Sequence, residues 1–151
     1  MVHIPLTLLN LQDDGFHLLM EVIVFGKHFK AVLDTGASKT VFDKATVETH
    51  LHPDSVLQHT DMLSTGLGTT SMPSFVLNVP DLQIGALHLK NFEIAVLDLS
   101  SINFAYEQLE IEPVIGVIGG DILARYGGVI DYRKNRLTLR ERSVYRATRS
   151  K

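Results

Sequence analysis

The chain has 151 residues, of which 45% are apolar and 21% are charged, a balance typical of one globular domain with its own core. Its formal net charge is −3, and it contains no cysteine, which excludes disulfides, thiolate catalysis and zinc–thiolate sites. No segment approaches the roughly 20 consecutive apolar residues of a membrane span. The N-terminal residues show neither a basic leader nor a small-residue cleavage site, so we expect a cytoplasmic protein with a single domain over residues 1–151.

Short apolar runs separated by turn residues predict an all-β fold. The predicted strands are residues 3–11, 16–25, 29–34, 40–42, 72–79, 82–89 and 91–99. The Asp-Asp-Gly segment at 13–15 predicts a hairpin between the first two strands, and Gly-Lys at 26–27 predicts a second turn. The Gly-Ala pair at 85–86 predicts a break within the strand over 82–89.

Three segments have helical patterns. Residues 43–51 begin with Asp43, a suitable N-cap. In residues 100–110 a serine cap precedes an apolar stripe with i, i+3, i+4, i+7 spacing, and Asp98 is expected to help start this helix. The stripe consists of Ile102, Ala105, Tyr106 and Leu109. Residues 119–128 predict a two-turn helix between glycine pairs that stops at Gly127.

The C-terminal part combines a predicted hairpin with a basic tail. Residues 128–141 are expected to turn at Lys134 and Asn135. From Arg133 to Lys151 the chain carries eight basic residues and one acidic residue, and the tail proper covers about residues 141–151. Basic tails occur in nucleic-acid-binding arms, but no aromatic platform or recognition-helix pattern accompanies this one. We therefore expect a solvated end, or one that pairs with the acidic body, and no nucleic-acid partner.

Three segments together indicate chemistry. The first is Leu-Asp-Thr-Gly-Ala-Ser at 33–38, where an apolar strand delivers Asp34 into a turn. The second is the glycine-rich segment at 63–71, which is suited to a mobile hairpin that closes over a substrate. The third is the segment at 114–123, where two apolar residues and a glycine are expected to pack under the Asp34 turn. The tip of the second segment is Gly66, Leu67 and Gly68, and the packing residues of the third are Val117, Ile118 and Gly119.

A lone aspartate does little hydrolytic chemistry, so Asp34 requires a second acid. Peptide hydrolysis without a metal needs one group that takes a proton from water and one that protonates the carbonyl oxygen. Two carboxyls about 3 Å apart perform both tasks, because they hold one proton between them. No second Asp-Thr-Gly or Asp-Ser-Gly occurs in the sequence. The Ser-Thr-Gly at 64–66 looks faintly like a degenerate second turn, but it lies only 30 residues from the first.

With these motifs in place, the sequence resembles the retropepsin-like aspartic proteases, the single-domain relatives of pepsin. Residues 26–42 match that family's strand, catalytic turn and strand, and residues 116–139 are similar to its closing strand, helix and hairpin in the form found in bacterial members. The resemblance covers about residues 16–140. It implies an all-β fold, a closed acid-protease barrel that is half of an active enzyme and has one or two short helices.

The resemblance also implies roles for the residues of the turn. Asp34 corresponds to the catalytic aspartate, Thr35 to the residue that braces two opposed turns through reciprocal hydrogen bonds, and Gly36 to the end of the turn. Ala37 and Ser38 are expected to lie along the substrate backbone, although viral members often carry an acidic residue at the position of Ser38. Residues 98–113 exceed what compact viral members carry and are expected to shape the cleft or the dimer edge.

The missing acid is therefore expected from a second copy of the chain, with Asp34 facing Asp34 across a two-fold axis. This predicts a homodimeric aspartic endopeptidase that acts on peptide or protein substrates and uses no metal or cofactor. The alternative is a non-catalytic module that keeps the fold for dimerisation or peptide binding. The intact Asp-Thr-Gly favours the enzyme, because a scaffold has no need of an acid pair.

Weaker patterns have simpler interpretations. Gly116, Gly119 and Gly120 suggest a phosphate-binding loop, but the Lys-Ser/Thr of a P-loop is missing. The histidines at 50, 52 and 59 are spaced too loosely for a metal site and predict a solvated loop. Asp121 is expected to interact with the N-terminus of its helix rather than to act as a catalytic acid.

Overall fold

A computed structural model of the chain describes residues 1–12, 15–51, 57–60 and 73–144. The described part contains eleven strands and three helices. The strands are β1 Val2–Pro5, β2 Thr7–Asn10, β3 Phe16–Val24, β4 Lys27–Leu33, β5 Val41–Asp43, β6 Gln58–Thr60, β7 Ser74–Ile84, β8 Leu87–Leu97, β9 Gly116–Ile118, β10 Val129–Asp131 and β11 Arg136–Leu139. The helices are α1 Lys44–His50, α2 Ser100–Gln108 and α3 Gly120–Arg125. The all-β prediction with a few short helices is confirmed, and each of the three segments with a helical pattern contains a helix.

Six strands close into a barrel. The large sheet has the order β2-β3-β4-β9-β5-β8-β7-β6, and an additional pairing between β3 and β7 joins its two sides. A separate three-stranded sheet has the order β1-β11-β10. In the barrel, β9 lies between β4 and β5, parallel to β4 and antiparallel to β5. The connection from β4 to β5 must therefore cross the end of β9.

Two apolar clusters lie on opposite faces of the β3–β4 hairpin. Successive residues of a strand point to opposite faces, so the paired residues Leu18 and Leu33 share one face, and Leu19 and Val32 share the other. Leu18 and Leu33 belong to the larger cluster, which includes most of the buried residues. Leu19 and Val32 belong to the smaller cluster, which also contains Tyr106 of α2. Helix α2 thus packs against one face of the barrel wall.

The predicted N-terminal strand is divided into two strands with different partners. β1 pairs with β11 in the small sheet, whereas β2 pairs with β3 in the barrel sheet. The division falls at Leu6, whose N–H donates to the carbonyl oxygen of Asn135 at 2.8 Å. The hairpin predicted between the first strands is present as β2 and β3, but Asp13 and Asp14 of its turn lie outside the described residues.

Two predicted turns differ in position or in role. The β3–β4 turn consists of Phe25 and Gly26, both with positive φ (55° and 71°), so the predicted turn at 26–27 was one residue late. Gly85 and Ala86 do not interrupt a strand. They form the two-residue loop of the hairpin β7–β8, in which Ile84 pairs with Leu87. Gly85 adopts a φ of 59° at the tip, a conformation that two-residue hairpin loops require and that glycine adopts readily.

The helix ends agree with the predictions at α1 and α3 but not at α2. Asp43 caps α1 by accepting from the N–H of Thr46, and Gly127, with a φ of 56°, follows the end of α3. The predicted serine cap of α2 was wrong, since the N-cap residue is Leu99 and no side chain caps the helix. Instead, Asp98 accepts from the N–H of Ser100 at 2.9 Å. Hydrogen bonds from the Ser100 side chain and backbone lower the pKa of Asp98.

The apolar stripe predicted for α2 is only half buried. Tyr106 is buried and Ile102 is partly buried, whereas Ala105 and Leu109 are exposed. The helix therefore contacts the barrel along a narrower face than its sequence spacing indicated. Within the described ranges, no helix is long and apolar enough to cross a membrane.

Candidate active site

Asp34 lies immediately after β4, at an exposed position. Its N–H donates to the carbonyl oxygen of Ile118 at 3.0 Å, which continues the β4–β9 pairing by one residue. Its Oδ1 accepts from the N–H of Gly36 at 2.9 Å, and its carbonyl oxygen accepts from the N–H of Ala37 at 3.2 Å. The turn thus holds the carboxylate in a defined orientation, and no other hydrogen bond to it comes from the described residues.

The loop that carries Asp34 crosses directly over the end of β9. A Cβ atom added to Gly119 would lie 2.6 Å from the carbonyl oxygen of Lys39 and 2.8 Å from that of Ala37. Carbon and oxygen do not approach this closely without a backbone shift, so only glycine fits here. The next residue, Gly120, donates its N–H to the carbonyl oxygen of Ala37 at 2.7 Å. Close backbone contact between the loop and residues 119–120 therefore fixes the distance between the turn and the end of β9.

The other end of β9 is as tightly packed. A Cβ atom on Gly116 would collide with the carbonyl oxygen of Val41 in β5. Val117 and Ile118 complete the strand and are buried between β4 and β5. Residues 116–119 therefore lie next to the Asp34 loop, in close backbone contact with it at Gly119.

A buried hydroxyl links the Asp34 loop to helix α3. Thr40 is fully buried, and its Oγ1 donates to Oδ1 of Asp121 at 2.8 Å while accepting from the N–H of Gly119 at 3.1 Å. The N–H of Thr40 donates to Oδ2 of the same carboxylate at 2.9 Å. Asp121 also accepts from the N–H of Ile122 in its own helix. This Thr40–Asp121 clamp fastens the end of the loop that leads into β5, whereas Asp34 lies at the end that follows β4.

A cleft of about 250 Å³ opens beside Asp34. One side consists of residues on the α2 face of the wall: Val32 and its parallel partner Val117, together with Ile102 of α2 and His17 of β3. The lining also includes Leu18, Leu33 and Ile130, which belong to or pack against the larger cluster, and the exposed side chains of Phe16 and Tyr132. Asp34 and Thr35 line the cleft as well. An extended ligand bound along this cleft would contact the carboxylate directly.

His17 is held in place from below by helix α2. Its Nδ1 lies 2.6 Å from the hydroxyl of Tyr106, a residue that is only 2% exposed. The two rings are tilted with centroids 5.9 Å apart. Burial raises the pKa of Tyr106 to about 12, so its hydroxyl stays protonated at any physiological pH. A buried tyrosine therefore orients His17, the one histidine among the described residues that line the cleft.

The structure brings together most of the residues that the sequence assigned to the site. Thr35 and Ser38 are exposed on the Asp34 loop and Ala37 is partly buried. The expected flap residues Gly66, Leu67 and Gly68 lie outside the described residues. Sequence reasoning missed the Thr40–Asp121 clamp and His17. The only available signals were a threonine six residues after Asp34 and a single histidine in a strand.

The described residues contain no group of three or more His, Cys, Asp or Glu side chains arranged to hold a metal ion. His50 lies between Phe25 and Phe29, with ring centroids 6.1 Å and 5.4 Å away. His52 and the side chain of His59 lie outside the described part.

The sequence was compared with protein families and with curated proteins, and the fold was compared with solved structures. A family model described as "Aspartyl protease" matches residues 20–122. The retroviral protease-like domain of Ddi1 from Leishmania major is similar in structure, with a TM-score of 0.56, 18% identity, and coverage of 82% of this chain and 87% of that one. A retropepsin-like aspartic protease from Rickettsia conorii has a TM-score of 0.54, 22% identity, and coverage of 90% and 89%. No curated protein matches the sequence.

Proposed function

The chain belongs to the aspartyl protease family and has the retropepsin-like fold, and on this basis we propose that it is an aspartic endopeptidase. The observation that carries the proposal is the Asp34 turn itself. An exposed carboxylate, oriented by the N–H of Gly36, lies at the edge of a cleft large enough for a substrate side chain. A rigid base beside an accessible cleft is what activation of water requires.

The proposed reaction uses two copies of Asp34. In aspartic proteases, two facing carboxyls share one proton because like charges about 3 Å apart cannot both ionise. The ionised carboxyl removes a proton from a water molecule as the water oxygen attacks the peptide carbonyl carbon. The protonated carboxyl donates its proton to the carbonyl oxygen. In the collapse of the tetrahedral intermediate the C–N bond breaks, the amine leaves with a proton from the pair, and a hydroxyl of the intermediate returns a proton to the other carboxyl, so the pair again holds one proton.

The second carboxyl would come from another copy of the chain, in a homodimer with a two-fold axis beside Asp34. The surface around the turn supports this arrangement. Phe16 and Tyr132, at the rim of the cleft, are 62% and 64% exposed, and Val129 is 59% exposed. Val129 belongs to β10, an edge strand of the small sheet whose outer side is unpaired in the described residues. A second copy that covers these residues would bury apolar surface and, by the same contact, supply the second carboxyl of the acid pair.

Substrate would lie extended in the cleft and add its backbone to the protein as a strand. In this proposal Thr35 braces the two turns across the dimer axis, while Ala37 and Ser38 border the substrate backbone. The flap would be supplied by Gly66, Leu67 and Gly68, and Val117, Ile118 and Gly119 would support the turn from below. No metal or cofactor takes part in this chemistry.

Peptide cleavage by wild type and by Asp34→Asn tests the proposal. We expect cleavage of a broad peptide library by wild type, at some pH between acidic and neutral, and a loss of at least about 1,000-fold in Asp34→Asn, because the asparagine amide cannot take the proton. Asp81→Asn is the matched control, since Asp81 lies on the surface and pairs with His88 and Lys90. Equal cleavage by wild type and Asp34→Asn would move the chemistry to other residues. Absence of cleavage by wild type across the library would favour the non-catalytic peptide-binding module.

A further inference from the structure

The cleft beside Asp34 has a polar group on an otherwise apolar side. His17 and Leu19 are two residues apart in β3, and Leu19 pairs with Val32, so His17 lies on the same face of the wall as Val32. Val117 of β9 is the parallel partner of Val32 in β4, and Ile102 of α2 completes this side of the cleft. Three aliphatic side chains and one imidazole therefore line this side of the cleft beside the carboxylate.

The contact with Tyr106 occupies Nδ1 of His17, so Nε2 is the ring nitrogen available to a ligand in the cleft. When the imidazole is neutral, the hydroxyl of Tyr106 either donates to Nδ1, with the ring proton on Nε2, or accepts from a protonated Nδ1, with Nε2 as an acceptor. When the imidazole is charged, Nδ1 donates to the tyrosine oxygen and Nε2 also carries a proton. In every state Nε2 is the nitrogen left for a ligand, and a group that both accepts and donates can pair with it in all of them.

We propose that this side of the cleft is a specificity subsite for a substrate side chain with an aliphatic stem and a neutral end that both accepts and donates hydrogen bonds, namely glutamine, and that His17 selects it. The inference rests on the proposed protease function and names its substrate class. Leucine would fill the space but leave Nε2 of His17 without a partner, a loss comparable to one hydrogen bond. Glutamate would place a second anion beside the acid pair, which retains one negative charge in the active state.

The test uses short peptide pools with a fixed central glutamine, leucine or glutamate and randomised flanks. Cleavage next to the central residue is counted for wild type, and binding of the same labelled pools to Asp34→Asn is measured by fluorescence anisotropy near neutral pH. We expect glutamine to exceed leucine by about two- to ten-fold in both assays, the range of a neutral hydrogen bond. His17→Phe should bring this ratio to about one, in cleavage and in the Asp34→Asn background.

His17→Phe leaves the hydroxyl of Tyr106 without its partner, so the double variant His17→Phe with Tyr106→Phe is measured in parallel. Removing both polar groups of a buried pair preserves the packing more reliably than removing one. His3→Phe is the matched control, because His3 also contacts a hydroxyl, that of Thr138 at 3.0 Å, away from the cleft. It should keep the wild-type ratio.

The outcomes separate this inference from the proposed function. A glutamine-to-leucine ratio that is near one in wild type, or unchanged in both His17 variants, overturns the subsite while cleavage still supports the protease. If His17→Phe changes the affinity of the dimer but leaves the glutamine-to-leucine ratio unchanged, the subsite is also overturned. In that case His17 contacts the partner subunit rather than the substrate. If wild type cleaves nothing but glutamine pools bind through His17, the subsite stands and the protease function fails.

Discussion

At the scale of single residues, the site combines local contacts with contacts between distant parts of the chain. The Asp34 turn could be predicted from sequence because its hydrogen bonds join neighbours: the carboxylate of Asp34 contacts the N–H of Gly36. The Thr40–Asp121 clamp could not, because its partners are 81 residues apart and each has an ordinary local explanation. Asp121 was interpreted as a helix-terminus residue. It does contact its own helix through Ile122, but it also accepts both donors of Thr40.

The clamp predicts a large effect for a small substitution. Thr40→Val keeps the shape of the side chain but removes the hydroxyl that bridges Asp121 and the N–H of Gly119. We expect a loss of about 1–3 kcal/mol in the free energy of unfolding, the cost of leaving buried polar groups unpaired. Urea denaturation measures it.

Thr138→Val provides the control for this substitution. The Thr138 hydroxyl contacts His3 at an exposed position, so its loss should change stability by less than about 0.5 kcal/mol. If Thr40→Val and Thr138→Val lower the free energy of unfolding by equally small amounts, the clamp does not stabilise the loop.

At the scale of elements, the position of β9 between β4 and β5 decides where the Asp34 turn lies. The sequence shows a short apolar segment followed by glycines but does not show its strand partners. The parallel pairing of Val32 with Val117 joins residues far apart in the chain, and it explains why Gly119 has no room for a side chain. Likewise, the break expected at Gly85 became a hairpin, because apolar alternation does not distinguish a kinked strand from two paired ones.

Two adjacent glycines test this crossing. In Gly119→Ala the new methyl group meets the carbonyl oxygens of Lys39 and Ala37 at under 3 Å, so the Asp34 loop must shift. In Gly120→Ala the nearest atom, the carbonyl oxygen of Ala37, lies 3.4 Å away. We expect Gly119→Ala to reduce peptide cleavage at least about 100-fold, since small displacements of catalytic groups have effects of this size. Gly120→Ala should keep more than about one third of wild-type cleavage. Comparable activity of the two variants would contradict the proposed crossing constraint.

At the scale of the whole molecule, the exposed aromatic residues indicate which face would meet a second copy in the proposed homodimer. Tyr132 and Phe104 are equally exposed at 64%, but only Tyr132 lies at the rim of the Asp34 cleft. We expect Tyr132→Ser to weaken self-association about ten-fold or more, as truncation of an interfacial aromatic typically does, and Phe104→Ser to leave it unchanged. Sedimentation analysis over a dilution series measures both. Equal dimer affinities for the two variants would place the interface elsewhere.

The pairing of two Asp34 residues is tested most directly by mixing subunits. Wild type and Asp34→Asn are combined at constant total concentration, allowed to exchange, and assayed for peptide cleavage. If each active site needs one Asp34 from each copy, activity falls with the square of the wild-type fraction, to about one quarter in an equal mixture. A fall in simple proportion to the wild-type fraction, to about one half, would show that one copy suffices and would contradict the shared site.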